Sequence, residues 1–141
     1  MSKRVQITFV QIISILGIFL SIYLYISHLS SDFFCPVGDC LKVNSSSYAQ
    51  IKGIPISALG ILYYFLLHIF TYCGKKVFVI KLIKYWLLLG LVFSLYLTYL
   101  ELFEIKAICI WCIVSFGLII IGNIIIFCNS KKESIENKRY T

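Results

Sequence analysis

Residues 107–127 read Ala-Ile-Cys-Ile-Trp-Cys-Ile-Val-Ser-Phe-Gly-Leu-Ile-Ile-Ile-Gly-Asn-Ile-Ile-Ile-Phe, and the reading of this stretch decides the fold. It carries no charge, and about 20 apolar residues suffice for a helix to cross the hydrocarbon core of a bilayer. Working outward, three more blocks of that kind precede it, at about residues 5–26, 54–72 and 82–100. The chain as a whole is 60% hydrophobic and 13% charged, roughly half the charged share of an average soluble domain. Its mean hydropathy is +0.94. A water-soluble fold of 141 residues has too little interior to hide this much apolar surface. The expectation is an all-α integral membrane protein, a bundle of four transmembrane helices forming one domain over residues 1–141.

The first block follows Lys3 and Arg4, as a signal peptide would. Its apolar core is too long for one, and no small-residue cleavage site follows, so it reads as a retained helix. The net charge of +7 is not spread evenly. Lys3 and Arg4, then Lys75, Lys76, Lys81 and Lys84, then Lys131, Lys132, Lys138 and Arg139 make ten of thirteen basic residues on one side of the four blocks. That side is cytoplasmic by the positive-inside rule, so both termini are inside. A basic surface for nucleic acid is not implied. Lys42, Lys52 and Lys106 remain on the other side, with Asp32, Asp39, Glu101 and Glu104.

Of the two outer connections, residues 27–53 are long and residues 101–106 very short. In the long one, Cys35-Pro36-Val37-Gly38-Asp39-Cys40 holds two cysteines around turn-forming Pro and Gly. Asn44 and the serines at 45–47 are available to cap a short helix across the bundle mouth. Gly53 and Pro55 are expected to open the second spanning helix, Pro being tolerated in a first turn. Tyr23, Tyr25, Phe33, Phe34, Tyr96 and Tyr99 flank the outer interface, where an aromatic belt accounts for them. Residues 129–141 form a polar, charged cytoplasmic tail, expected to fray. No ionisable residue lies deep within a block to mark an ion path, which argues against a transporter.

This topology sorts the six cysteines. Cys73 and Cys128 fall at cytoplasmic ends and read as ordinary interface residues; His28 and His68 read as surface or packing residues. Cys35, Cys40, Cys109 and Cys112 fall outside, as two pairs. Cys109-Ile110-Trp111-Cys112 opens a helix, where free N–H groups and the macrodipole favour a thiolate. The thiolate is the attacking species in disulfide exchange, and the long loop can fold down over it. Two adjacent dithiols make an electron relay, for which a quinone is the acceptor soluble in a bilayer. Two plainer readings stand beside this one: a tetrahedral zinc site of four thiolates, or a static disulfide bracing the loop. Either would suit a non-enzymatic membrane scaffold or metal-binding protein.

The order and spacing of these residues resemble the vitamin K epoxide reductase family, in its short bacterial branch without a fused thioredoxin-like domain. The resemblance spans nearly the whole chain. It rests on Cys35 and Cys40 after the first helix, Val43-Asn44-Ser45-Ser46-Ser47-Tyr48-Ala49 next, Gly53-Ile54-Pro55 opening the second, and Cys109-Ile110-Trp111-Cys112 opening the last. The resemblance implies a quinone-linked, disulfide-generating oxidoreductase in the bacterial inner membrane. Cys35 would meet a thioredoxin-fold partner of the DsbA type on the non-cytoplasmic side. Cys40 would shuttle to Cys109, and Cys112 and Phe116 would face menaquinone or ubiquinone, with no metal. Ser46 takes the place of the family's loop serine, in a supporting hydrogen-bonding role. Phe116 stands where vertebrate members have tyrosine, and residues 51–72 contain no asparagine, so quinone reduction is implied rather than epoxide reduction. A DsbB-like protein is the alternative within this chemistry, but its Cys-x-x-Cys lies in the first outer loop, the opposite arrangement.

Overall fold

The structure, a computed structural model, describes residues 3–30, 34–73 and 77–139, with side chains over 4–30, 34–73 and 78–127. Asp32, Phe33, Lys75 and Lys76 lie outside the described residues, as do the side chains of Cys128 and the basic residues after it. The elements are α1 (Lys3–Ser30), α2 (Cys40–Asn44), α3 (Ile56–Tyr72), α4 (Val77–Tyr99) and α5 (Ile110–Arg139). Between α2 and α3 the chain makes a 3-10 turn, Ser47–Ala49, and a small hairpin of β1 (Gln50–Ile51) and β2 (Ile54–Pro55).

Three helical stretches, Arg4–Ser30, Phe78–Ile105 and Ile110–Phe127, are long and apolar enough to cross a membrane; α3 is as apolar but has 17 residues. No more than 28% of the hydrophobic window in any of the three is buried. Phe19, Leu29, Leu89, Val92 and Ile124 all point outward. In water such a surface would be an aggregation liability. Lipid covers it without cost, so this is a membrane protein.

With no hydrophobic drive between helices in lipid, close packing and interhelical hydrogen bonds must hold the bundle together. The inner seam is Val10, Tyr64, Leu67, Ile83, Leu87, Ile119 and Ile126. Tyr64 of α3 is its hub. Its ring lies against Gly17 of α1, so closely that a Cβ there would overlap the ring. Its hydroxyl is 2.7 Å from the Ser115 Oγ of α5. Helices α3 and α4 exchange two hydrogen bonds, Tyr63 Oη to the Trp86 carbonyl at 3.1 Å and Trp86 Nε1 to the Tyr63 carbonyl at 3.2 Å. The two rings stack between them at 5.6 Å. In the half of the bundle away from the loop, Ser14 Oγ meets His68 Nδ1 at 3.0 Å, and Asn123 Nδ2 donates to the Leu87 carbonyl at 3.0 Å.

Several boundaries differ from those read in the sequence. Residues 101–106 are not a loop. The helix runs on past Tyr99 as a wider π-helical stretch, Leu100–Ile105, and ends where Lys106 enters the left-handed region at φ 51°. The reversal turns the Ala107 N–H back to the Glu101 carbonyl, 3.1 Å away. Glu101, expected in a solvated turn, is therefore helical and only 6% exposed. Helix α5 starts at Ile110 rather than 107, and stays helical to Arg139 through the stretch read as a tail. Helix α3 starts at Ile56, because Pro55 pairs with Gln50 across a two-residue turn. Lys52 and Gly53 both take positive φ there, as such a turn requires. Asn44, Ser45 and Ser46 do not cap the start of α2. The serine hydroxyls bond back to Leu41 and Val43, and Asn44 Nδ2 reaches the Leu24 carbonyl of α1 at 3.3 Å.

Gly17→Ala is expected to lower stability by about 1–3 kcal/mol through overpacking against Tyr64, whereas Gly117→Ala, with open space around it, should be near neutral. Thermal unfolding in detergent, read by circular dichroism, compares the two.

Candidate active site

The loop cysteines are joined as a disulfide, Cys35–Cys40, with their Cα atoms 5.9 Å apart. The turn between them depends on Gly38, whose φ is +90°. A Cβ at that position would also collide with the Ile108 carbonyl oxygen, so glycine is required on two counts. This close approach lets the loop dock by its backbone. Gly38 forms an antiparallel bridge with Cys109, and the Asp39 N–H donates to the Ile108 carbonyl at 3.1 Å. A second clasp sits at Phe34, whose carbonyl accepts from both Tyr23 Oη and Trp111 Nε1 at 3.1 Å each. The middle of the Cys-x-x-Cys motif thus holds the strand leading into Cys35. From the other side, His28 Nδ1 lies 2.9 Å from the Asn44 carbonyl and its Nε2 lies 3.2 Å from Gln50 Nε2.

Docking buries the chemistry. Cys40 is 0% exposed and Cys109 1%, and with Val43 and Ala107 they form one cluster against which Cys35, Trp111 and Cys112 pack. Both predicted pairs are therefore brought to one place, with Cys109 and Cys112 as free thiols. With Cys35 and Cys40 joined, the four sulfurs do not make a tetrathiolate set, and the zinc reading finds no support in this arrangement. Cys109 sits just ahead of the apolar span, its carbonyl accepting the Ile113 N–H at 3.1 Å as the first bond of α5. Its thiol is held below the ordinary cysteine range, chiefly by a hydrogen bond from the Cys112 side chain. The N–H groups of Cys112 and Trp111 add to this, while burial and the nearby Glu101 charge oppose it. A lowered value means more thiolate at neutral pH, and so a better nucleophile.

Beneath the cysteines lies a mostly apolar cavity of about 400 Å³, lined by residues of α1, α2, α3, α4 and α5. Cys112 and Phe116 both line it, and so does Ser46, whose hydroxyl donates to the Val43 carbonyl at 2.7 Å. Leu62 and Leu89 line it while also facing outward, so the cavity reaches the lipid-facing surface between α3 and α4. Its volume falls in the range of small-molecule sites. One polar atom in its wall is left over: Ser57 Oγ is buried and has no hydrogen-bond partner among the described residues. An apolar chamber with an unsatisfied hydroxyl and a thiol in its wall suits a flat, apolar molecule carrying carbonyl oxygens, which is the chemistry of a quinone.

Four members of this site were not singled out from the sequence. Ser57 is the second residue of α3, with nothing local to mark it. The Tyr64–Ser115 pair is separated by 51 positions. Glu101 was read as part of a connection; its Oε2 accepts the Cys109 N–H at 3.3 Å, and it lines the cavity beside Cys112. A carboxylate eight positions before a Cys-x-x-Cys was the available signal.

Residues 8–127 of the chain match the sequence profile of the vitamin K epoxide reductase family. No individual curated protein matches it. In protein with Cys35 and Cys40 replaced by Ser, the first thiol proton is expected to leave below the ~8.5 of a free cysteine, and Cys112→Ala should move that step upward. Ultraviolet thiolate absorbance followed against pH measures both.

Proposed function

The chain belongs to the vitamin K epoxide reductase family, and from that premise we propose that it oxidises a reduced thioredoxin-fold partner and passes the electrons to a membrane quinone. The family is one of membrane thiol–disulfide oxidoreductases that use a quinone and generally work with a thioredoxin-like protein. The finer assignment rests on one observation above the others: the buried contact between the Cys40 end of the loop disulfide and Cys109, directly over an apolar cavity.

In this reading a partner thiolate attacks Cys35, breaking the Cys35–Cys40 bond and freeing Cys40; the partner's second thiolate then attacks the partner sulfur of that mixed disulfide, so the oxidised partner leaves and Cys35 is returned as a thiolate. Cys40 is the buried member of the pair and faces Cys109, so it attacks the Cys109–Cys112 disulfide at Cys109 and frees Cys112. Cys35 then resolves the Cys40–Cys109 bond, which restores the loop disulfide and leaves two thiols on α5. That arrangement, loop oxidised and helix reduced, is the one in the structure. The quinone, when bound, accepts two electrons and two protons. Cys112 and Phe116 form its wall, Ser57 Oγ is placed to donate to an oxygen, and the surrounding apolar side chains exclude water. Ser46 supports α2 by closing its last turn.

The charge distribution supports four spans with both termini in the cytoplasm and the cysteine pairs outside, in a bacterial inner membrane. Helix α3 would be the fourth span; its 17 residues cover about 25 Å at 1.5 Å each, a modest mismatch that a bilayer accommodates by local thinning. Disulfide chemistry belongs to such an oxidising compartment. Purified protein in lipid vesicles, supplied with a reduced thioredoxin-fold protein and menaquinone or ubiquinone, should catalyse oxidation of the partner coupled to quinol formation. Cys112→Ser should reduce quinol formation to background, and undiminished turnover in that variant would overturn the mechanism.

A further inference from the structure

A carboxyl group inside an apolar, membrane-level environment costs several kcal/mol unless it is partnered, and such residues are usually functional. Glu101 is 6% exposed, and its partners are unusual. Its Oε2 receives the Cys109 N–H at 3.3 Å, and its carboxyl shares the cavity wall with Cys112. It lines the cavity together with both thiols, and among the described residues it is the only one of charged type in that wall. Its placement is built into the backbone. It lies in the π-helical stretch that ends α4, a distortion frequent at functional sites, and its own carbonyl holds the Ala107 N–H that leads into Cys109. A purely structural acceptor for one N–H would need only a neutral amide or hydroxyl. An ionisable group bonded to the backbone of a redox cysteine, in the wall of the same cavity, can do something else.

We propose that Glu101 is a catalytic residue, the base that takes the Cys112 thiol proton and hands it on to the molecule in the cavity. The inference rests on the quinone-coupled reading above and adds a residue and a proton route to it. Formation of the Cys109–Cys112 bond releases two electrons. The Cys112 S–H breaks and an O–H forms on Glu101. The two electrons go to the quinone, and Glu101 gives its proton to one quinone oxygen. Cys109, reacting as a thiolate, has already given its proton to water, and water returns one to the second oxygen. One disulfide and one quinol result, and Glu101 ends as it began.

The test uses full-length protein in vesicles. Glu101→Gln keeps an oxygen to accept the Cys109 N–H, so it should fold; thermal unfolding close to that of the parent checks this. It should lower kcat for quinol formation by about 100-fold, the usual scale of a lost acid–base group, at an unchanged KM for quinone. Glu101→Asp should recover part of the loss. The second readout needs no quinone: the infrared difference spectrum between the Cys109–Cys112 dithiol and its disulfide should contain a carboxylic-acid C=O band that is missing in Glu101→Gln. Gln turnover within threefold of the parent, or a carboxylic-acid band that persists in Gln, would overturn the inference. A parent protein that forms no quinol at all would instead refute the functional reading beneath it.

Discussion

One short backbone contact carries the arrangement: the antiparallel bridge between Gly38 and Cys109, with the Asp39 N–H on the Ile108 carbonyl. It joins a loop from one end of the sequence to the turn before the last helix, and it does so with main-chain atoms alone. Backbone hydrogen bonds fix distance and register more tightly than side-chain contacts between long, rotatable groups. Because residue 38 is bridged to residue 109, Cys40 is set down on Cys109 and Cys35 is left nearer the surface. The different exposures of the loop cysteines, Cys40 fully buried and Cys35 partly open, follow from that register.

Beyond the bridge, the loop is fastened by a few side-chain hydrogen bonds. Phe34 is held by two phenol and indole hydrogen bonds to one carbonyl, each worth about 0.5–1.5 kcal/mol net. His28 and Asn44 add contacts of similar size on the other flank. Below the loop the bundle is locked far more firmly, by Tyr64 against Gly17 and Ser115 and by the reciprocal Tyr63–Trp86 pair.

Much of this was legible in the sequence, because membrane insertion writes itself into long apolar blocks and charged punctuation. The helices expected at residues 5–26, 82–100 and 107–127 emerged with displaced ends, and the two cysteine pairs emerged as a set. The displaced ends have a common cause. Glu101, Glu104 and Lys106 look like a solvated connection by composition, but the helix continues through the first two because Glu101 has partners in the cysteine site that its sequence neighbours do not reveal. The Gln50–Pro55 hairpin was hidden for a similar reason: its turn depends on positive φ at Lys52 as well as Gly53, and a lysine does not advertise that. Ser57 and Ser115 are each unremarkable along the chain, and only the folded bundle makes them walls of one cavity.

The central claim is that Cys40 and Cys109 exchange directly. It is tested by removing their competitors in the double variant Cys35→Ser, Cys112→Ser, oxidising it in membranes, and identifying disulfide-linked peptides by mass spectrometry. The account predicts one dominant intramolecular link, Cys40–Cys109. If Cys40 and Cys109 instead stay as free thiols, or link between molecules, the two pairs do not communicate as described.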